Sequence, residues 1–212
     1  MIFHEHKAIF LHVGKTAGSA IENFFAPAQR DPSITDHKNL FGLDYHRKIY
    51  LQHATLETVR SIAPPRIYKK YFKFSFVRNP FERAVSVFNY NIHFFQEKLA
   101  SFREFVLHLP FRCPIETARG GGHTCRQVDY VFDENGEQID FVGKFEDLDL
   151  ELARLATCLG LKDSIVLPPP PNRYPYIGTA SLADFDDQTI RVIQNVYRKD
   201  FERFEYSTSL PE

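Results

Sequence analysis

The chain has 212 residues and a formal net charge of −1, which gives it no overall attraction to nucleic acid or to an anionic membrane. No segment is long and apolar enough to cross a membrane, and the first predicted strand begins too early for a signal peptide. The length suits one domain over residues 1–212, and 21 Phe and 10 Tyr without any Trp predict a phenylalanine-rich core.

The first predicted strand, Lys7 to Val13, runs into a loop of small residues that is typical of an anion site. A helix is predicted from Ser19 to Phe25, so the loop would point backbone N–H groups and a helix N-terminus at a ligand. Lys15 would add a point charge, and Thr16 and Ser19 would add hydroxyl donors. A simple strand-to-helix turn with a solvated lysine is the alternative.

Gly14 and Gly18 would let a ligand approach the backbone of this loop. The loop is shorter than the P-loop of nucleoside triphosphate enzymes, which has a glycine five positions before its Gly-Lys pair. Ile9 occupies that position here, inside the strand. The sequence therefore favours a site for one terminal anionic group, and a P-loop kinase is the less favoured alternative.

A second strand-to-helix junction follows the predicted strand Tyr71 to Val77. Asn79 suits a helix N-cap, Pro80 suits the first helical position, and Glu82 suits a capping box. Arg78 stands at the end of the strand, at the edge of an open α/β sheet where ligands bind.

The helix after this junction has an apolar face and a polar face. The apolar face consists of Phe81, Val85, Phe88, Ile92 and Phe95, and the opposite side carries Asn79, Arg83 and Ser86. Arg78 and Ser86 would both face a crevice at the sheet edge. The alternatives are an ion pair between Arg78 and Glu82, and a buried Ser86 that bonds its own backbone.

The second half of the chain has weaker signals. A short helix is predicted over 101–109 and a hairpin over 128–144 with its turn at 133–136. Between them, residues 110–126 are predicted to form a mobile basic loop that recognises an acceptor or acts as a lid, with a poorly ordered surface excursion as the alternative. An extended crossing begins at Pro168 to Pro171, after which Asn172, Arg173 and Tyr174 would reach the acceptor, and a last helix is predicted from Asp186 to Arg198.

The cysteines Cys113, Cys125 and Cys158 form no Cys-x-x-Cys pair, which argues against a zinc site. Free thiols are expected, with a bridge between Cys113 and Cys125 as the alternative in an oxidising environment. Cys158 falls in a leucine-rich helical segment, which predicts that its side chain packs near the core.

Together the two junctions resemble the nucleotide site of sulfotransferases that use 3′-phosphoadenosine 5′-phosphosulfate (PAPS), in the carbohydrate branch that includes heparan sulfate 2-O-sulfotransferase and small bacterial relatives. The similar segments are His12 to Ser19, Phe74 to Ser86, Phe141 to Leu148, Pro171-Asn172 and Tyr197 to Tyr206. Gly14 departs from the proline that is usual in that family. The resemblance covers nearly the whole chain and implies an α/β fold with a central, mainly parallel sheet flanked by helices.

The resemblance also implies roles for individual residues. Lys15 would stabilise the leaving oxygen, Arg78 and Ser86 would bind the 3′-phosphate, and Phe145 would border the adenine. The 5′-phosphate would lie on the backbone N–H groups of Thr16, Ala17, Gly18, Ser19 and Ala20. No metal is required for this chemistry.

His53 would be the general base that deprotonates an acceptor hydroxyl, since a histidine titrates near neutrality. Other candidates for the base are His12, His37, His46 and His123. The Golgi relatives carry a membrane anchor, so its expected absence here favours a cytoplasmic enzyme. The acceptor would be a hydroxyl compound, most simply a carbohydrate, and a nucleotide-binding module without catalysis is a further alternative.

Overall fold

The computed structural model describes residues 1–27, 33–95, 101–167 and 180–211. Its strands are β1 Ile2–Phe3, β2 Ala8–Phe10, β3 Leu43–Asp44, β4 Ile49–Tyr50, β5 Phe72–Val77 and β6 Phe141–Lys144. Its helices are α1 Gly18–Phe25, α2 Leu56–Ile62, α3 Pro65–Lys70, α4 Pro80–Phe95, α5 Phe102–Ala118, α6 Val128–Val131, α7 Leu148–Cys158, α8 Asp187–Val196 and α9 Arg198–Phe204. Short 3₁₀ turns lie at Leu51–His53, Phe145–Asp147 and Leu182–Asp184.

The main sheet has the strand order β1-β2-β5-β6, in which β2, β5 and β6 are parallel and β1 is antiparallel to β2. Phe10 is aligned with Phe74, and Phe74 with Phe141. Since β2 and β5 run side by side in the same direction, the loops that follow them leave the same edge of the sheet. The prediction of an α/β fold with a central, mainly parallel sheet flanked by helices is confirmed.

Alternating side chains of the strands pack on the two faces of the sheet. Phe10 and Phe74 contribute to one cluster with Ile21 of α1 and Leu155 of α7. On the other face of the sheet, Ile9 and other buried apolar side chains pack against α2 and α6. A third cluster joins α4, α5, α8 and α9.

The predicted loop over 110–126 is wrong in its first half, because α5 continues to Ala118 through Pro110 and Pro114. Ser101 caps this helix by accepting the N–H of Glu104. Buried side chains from Phe102 to Cys113 run along α5 into the third cluster, and their packing stabilises a helix that its prolines alone disfavour.

The predicted hairpin over 128–144 is only partly confirmed: a single antiparallel bridge joins Phe132 to Gln138, but the two predicted strands do not pair with each other. Residues 128–131 form α6, because the carboxylate of Asp200 accepts the N–H groups of Gln127 and Val128 at 2.9 and 3.0 Å and so caps the helix from α9. The predicted turn at 133–136 is present, since the Gly136 N–H donates to the Asp133 carbonyl at 3.0 Å. The second predicted strand survives as β6, which pairs with β5.

The structure also tests the expectations for the cysteines and for the last predicted helix. Cys158 is exposed rather than packed near the core, and Cys113 and Cys125 are buried free thiols. The last helix predicted from Asp186 to Arg198 is confirmed as α8, and α9 follows it after Tyr197. The predicted crossing at Pro168 to Pro171, with Asn172 to Tyr174, lies outside the described residues. Within the described residues, no helix has the length and apolar character needed to traverse a bilayer.

Candidate active site

The loop between β2 and α1 has left-handed backbone at two residues that are not glycines. Lys15 and Ala17 have φ angles of 72° and 65°, with Thr16 between them. Alternation of this kind turns successive N–H groups into an anion-binding concavity. Within the described ranges, the backbone N–H groups of residues 15–19 have no hydrogen-bond acceptor. The loop is therefore a preformed anion site at the start of α1.

Some polar atoms around this concavity already make hydrogen bonds within the protein, and others are left for a ligand. Thr16 is buried, and its hydroxyl donates to the Val13 carbonyl at 2.8 Å, so only its backbone N–H is left for an anion. In this structure the hydroxyl stabilises the loop, and its role in ligand binding stays a prediction. The Ala20 N–H donates to the Ala17 carbonyl at 3.0 Å and is also occupied, whereas the Ser19 side chain is exposed.

Gly14 and Gly18 make room for two imidazole rings. A Cβ at Gly14 would lie 2.6 Å from Cδ2 of His123, and one at Gly18 would overlap the ring of His12. These glycines therefore have a structural role, because the loop packs directly against histidines, and their role in the approach of a ligand stays a prediction.

Lys15 extends from this loop over an aromatic ring of α4. Its Nζ lies 4.2 Å from the ring centroid of Tyr90, a cation–π contact. Burial, followed by the positive charge of Arg78, lowers the pKa of Lys15 to about 8. Since the positive charge of Arg78 acts on Lys15, the two cations lie near each other at this edge of the sheet.

Arg78 is held at the end of β5 by its backbone and its side chain. Gln127 accepts the Arg78 N–H at 2.8 Å and donates to its carbonyl at 2.7 Å. The guanidinium donates twice, at 3.1 Å each, to one oxygen of Glu82, and it stacks 4.4 Å from the ring centroid of Phe145. The ion pair between Arg78 and Glu82, the alternative considered from the sequence, is therefore present, but it uses only Nε and Nη2 of the guanidinium.

Ser86 lies on the face of α4 that is turned toward the loop. It is one turn from both Arg83 and Tyr90, which contact the Gly14 carbonyl and Lys15 respectively. Ser86 is half-buried and makes no hydrogen bond to any other described residue, so the backbone-bonded alternative is not seen. Its hydroxyl is available beside the crevice.

Arg83 is the structural residue that sequence reasoning missed. It is 1% exposed and donates to three backbone carbonyls: Gly14 at 3.1 Å, His123 at 2.8 Å and Cys125 at 2.9 Å. Its place on the polar face of α4 was visible in the sequence, but its burial was not. Arg83 ties the loop after β2 to the loop after α5.

Three histidines from distant parts of the chain meet beside the anion site. His53 Nδ1 lies 3.2 Å from the His12 carbonyl oxygen, and His53 Nε2 lies 3.4 Å from His123 Nε2. His12 Nδ1 bonds to Glu22 of α1 at 2.8 Å. Of the five histidines proposed from the sequence, these three come together, whereas the remaining pair, His37 and His46, is exposed.

Burial and neighbouring charges set the protonation of this cluster. Burial, followed by His12, lowers the pKa of His53 to about 3. Burial, followed by His53, also lowers the pKa of His123. Burial alone would raise the pKa of Glu22, but its pairing with His12 outweighs this effect and lowers it. At neutral pH His53 and His123 are therefore neutral, the state in which an imidazole can accept a proton.

A pocket of about 270 Å³ lies beside His53 and His123. Its lining comprises Leu43, Lys48, Ile49, Tyr50, His53, Asn91, Arg112, Glu116, Gly121, Gly122 and His123. Asn91 is 4% exposed and its amide has no hydrogen-bond partner among the described residues, which is typical of a group that awaits a ligand. The pocket therefore offers a second compartment next to the anion site.

Among the described residues, no group of His, Cys, Asp or Glu side chains is arranged to hold a metal ion. Neither the comparison with curated proteins nor that with solved structures returned a match. A family model described as the sulfotransferase family matches residues 1–207, nearly the whole chain. This match confirms the family that the two junctions predicted from the sequence. The chain therefore belongs to the sulfotransferase family, whose members are enzymes of sulfuryl transfer.

Proposed function

We propose that this enzyme transfers a sulfuryl group from PAPS to a hydroxyl group of a carbohydrate. The observation that carries the proposal is that the cations Lys15 and Arg78 lie near each other at one edge of the sheet, while the neutral base candidate His53 lines a separate pocket. One nucleotide with phosphates at both ends would satisfy both cations. The acceptor would enter from the pocket.

The 5′ end of the donor fits the loop after β2. The free N–H groups of Thr16, Ala17, Gly18 and Ser19 would hold the 5′-phosphate, and Lys15 would contact the oxygen that links phosphorus to sulfur. Negative charge develops on that oxygen as the bond to sulfur breaks, so a preoriented cation there stabilises the transition state. Ala20 would border the phosphate without donating to it.

The 3′ end of the donor fits the junction after β5. Arg78 uses Nε and Nη2 for Glu82, which orients the guanidinium and leaves Nη1 to the 3′-phosphate. The Ser86 hydroxyl would complete this contact. Phe145, already stacked on Arg78, is in a position to cover the adenine.

His53 has the properties of the general base. Its Nδ1 faces a carbonyl, which can only accept, so Nδ1 carries the proton and Nε2 carries the lone pair. In the reaction the hydroxyl proton passes to His53 Nε2 while the oxygen forms a bond to sulfur. The bond from sulfur to the 5′-phosphate oxygen breaks, and its electron pair remains on that oxygen beside Lys15.

A carbohydrate acceptor suits the chemistry of the pocket. Tyr50 is 44% exposed and offers a ring face, as sugars commonly use. The unpartnered amide of Asn91 and the cation of Lys48 offer hydrogen bonds to ring hydroxyls or acidic substituents. The net charge of the chain is close to zero, so recognition of an acidic glycan would depend on these local groups.

Transfer of labelled sulfuryl from PAPS to a panel of carbohydrates tests this proposal. We expect a sulfated product from the wild type and none from His53→Ala, with binding of 3′,5′-bisphosphoadenosine unchanged. The matched control is His46→Ala, which removes an exposed histidine and should retain full activity.

Three results would contradict the proposal. Near-normal turnover by His53→Ala would remove the assignment of the base. Saturable nucleotide binding without any product across the panel would favour a module without catalysis, and magnesium-dependent turnover of ATP would favour a kinase.

A further inference from the structure

The rings of His53 and His123, which line the pocket, carry their protons on different nitrogen atoms. His53 Nδ1 lies 3.2 Å from the His12 carbonyl, so the single proton of neutral His53 is on Nδ1. His53 Nε2 then presents a lone pair to His123 Nε2 at 3.4 Å, with the two rings at 89°. A contact between two ring nitrogens requires one proton, and His123 must supply it. His123 is therefore the Nε2–H tautomer.

His123 is fixed from several directions and does not lie on a free loop tip. Its carbonyl accepts from Arg83 at 2.8 Å, and the preceding Gly122 bonds through both its N–H and its carbonyl to the Tyr130 hydroxyl at 3.1 and 2.9 Å. Its ring packs against Gly14 and meets the Tyr90 ring at a centroid distance of 5.0 Å. The Nε2–H is thus held beside both the anion loop and the pocket.

We propose that His123 is a second catalytic residue, whose Nε2–H binds the acceptor oxygen while His53 Nε2 takes its proton. This inference rests on the proposed function and deepens it. Both histidines line the pocket, so an oxygen that enters from there meets the two nitrogens together.

The Nε2 atoms of His53 and His123 would together orient the acceptor oxygen for attack on the sulfur. A hydroxyl oxygen has one proton and two lone pairs. If the proton points to His53 and one lone pair accepts from His123, the remaining lone pair is directed to the sulfur. Orientation of this kind removes much of the entropic barrier of a reaction between two substrates.

Atoms and electrons balance with His123 unchanged. The O–H bond of the acceptor breaks and its proton passes to His53 Nε2, the oxygen forms the new bond to sulfur, and the bond from sulfur to the 5′-phosphate breaks with its electron pair left on the phosphate. His123 keeps its proton and releases the oxygen as the sulfate ester forms.

Neighbouring charges divide the two roles. Burial, followed by the charge of His12, lowers the pKa of His53, whereas the negative charge of Glu22 raises it and supports protonation of His53 during the reaction. Burial, followed by His53, Lys15, His12 and Arg83, lowers the pKa of His123, and each of these effects opposes its protonation. His53 is the histidine that can become a cation, and His123 is the one that remains a neutral donor.

Two substitutions of His123 separate hydrogen bonding from packing. His123→Leu keeps an apolar side chain of similar bulk but has no donor, whereas His123→Gln restores an N–H donor at a similar reach. We expect kcat for sulfuryl transfer to fall about 100-fold in His123→Leu and to recover at least about tenfold in His123→Gln, with donor affinity unchanged in both. A kcat for His123→Leu above one third of the wild-type value, or equal losses in the two variants, would overturn the proposal.

Nitrogen-15 NMR of the ring nitrogens tests the same inference without any turnover. In the free wild-type protein at neutral pH we expect a protonated Nδ1 on His53 and a protonated Nε2 on His123. The opposite tautomer at either histidine would overturn the proposal. If instead the tautomers are as expected and the wild type transfers no sulfuryl group from PAPS, the proposed function fails and not the reading of this histidine pair.

Discussion

Burial lowers the pKa of both Lys15 and His53, and the consequences for their charge are opposite. Lys15, with a pKa of about 8, keeps its positive charge at neutral pH. His53, with a pKa of about 3, keeps its lone pair. One desolvated site can therefore hold a cation for the leaving phosphate and a neutral base for the acceptor.

These pKa values predict the pH dependence of kcat/KM. Lys15 must be protonated, so kcat/KM should fall as the pH rises through about 8 in the free enzyme. The phosphates of the donor favour the cation, so the corresponding decline in kcat should occur at higher pH. Protonation of His53 should cause no loss of kcat/KM between pH 7 and 5, because its pKa of about 3 lies well below that interval.

Steady-state kinetics from pH 5 to 9.5 check this prediction, and Lys15→Arg is the matched control. Arginine stays charged throughout, so the alkaline decline should disappear in that variant even if its rate is lower. An acidic limb near 6.5, the ordinary histidine value, would contradict the protonation assigned to His53.

Lys15 and Arg78 could be singled out from the sequence because each lies in a loop between a strand and a helix, and their roles at the site stay predictions. The resemblance named His53 as the base, with His12 and His123 among the other candidates. The meeting of these three histidines could not be predicted, because it depends on the packing of three separate segments.

The two strand-to-helix junctions are the elements on which the site is built. The residue Asn79 caps α4 as predicted, since its Oδ1 accepts the Phe81 N–H at 2.9 Å, and β2 and β5 bring both junctions to one edge of the sheet. The helices α5 and α6 could not be predicted in the same way. The third cluster stabilises α5 despite its prolines, and the cap of α6 comes from Asp200, about seventy residues further along the chain.

Arg83 should be needed to hold the loop after β2 against the loop after α5. Arg83→Leu leaves the carbonyls of Gly14, His123 and Cys125 without their buried donor, and one such loss costs about 1–3 kcal/mol. We therefore expect the free energy of unfolding to fall by about 3 kcal/mol, as measured by urea denaturation.

The control for Arg83 is Arg60→Leu, which removes an exposed ion pair with Glu134 at 2.7 Å. An exposed pair contributes about 0–1 kcal/mol, so this variant should unfold close to the wild type. If Arg83→Leu were as stable as Arg60→Leu, the three carbonyl contacts would not connect the loops as described.

The sheet and its three packed clusters form a connected network in the described part of the chain. Phe76 and Val77, neighbours on β5, belong to clusters on opposite faces of the sheet, and Arg83 links α4 to the loop that carries His123. The α/β class could be predicted because the strands end in recognisable loops. The small β3–β4 pair could not, since each of its strands has only two residues.

The division into one domain over residues 1–212 stays a prediction, and cooperative unfolding tests it. We expect far-ultraviolet circular dichroism and tyrosine fluorescence to give coincident denaturation curves with a single midpoint. The reason is that β5 contributes side chains to the clusters on both faces of the sheet, and Arg83 of α4 bonds to the Cys125 carbonyl. The chain has no Trp, so tyrosines throughout the molecule report on tertiary structure. Two separated transitions would indicate independent units.

The central claim is that Lys15 and Arg78 bind opposite ends of one nucleotide, and calorimetric titration of Arg78→Ala with two ligands tests it most directly. Adenosine 5′-phosphate lacks the 3′-phosphate that 3′,5′-bisphosphoadenosine carries. Loss of a charge-assisted contact should weaken the bisphosphate about 10- to 100-fold and leave the monophosphate within about twofold of the wild type. Equal losses of affinity for the two ligands would contradict the account.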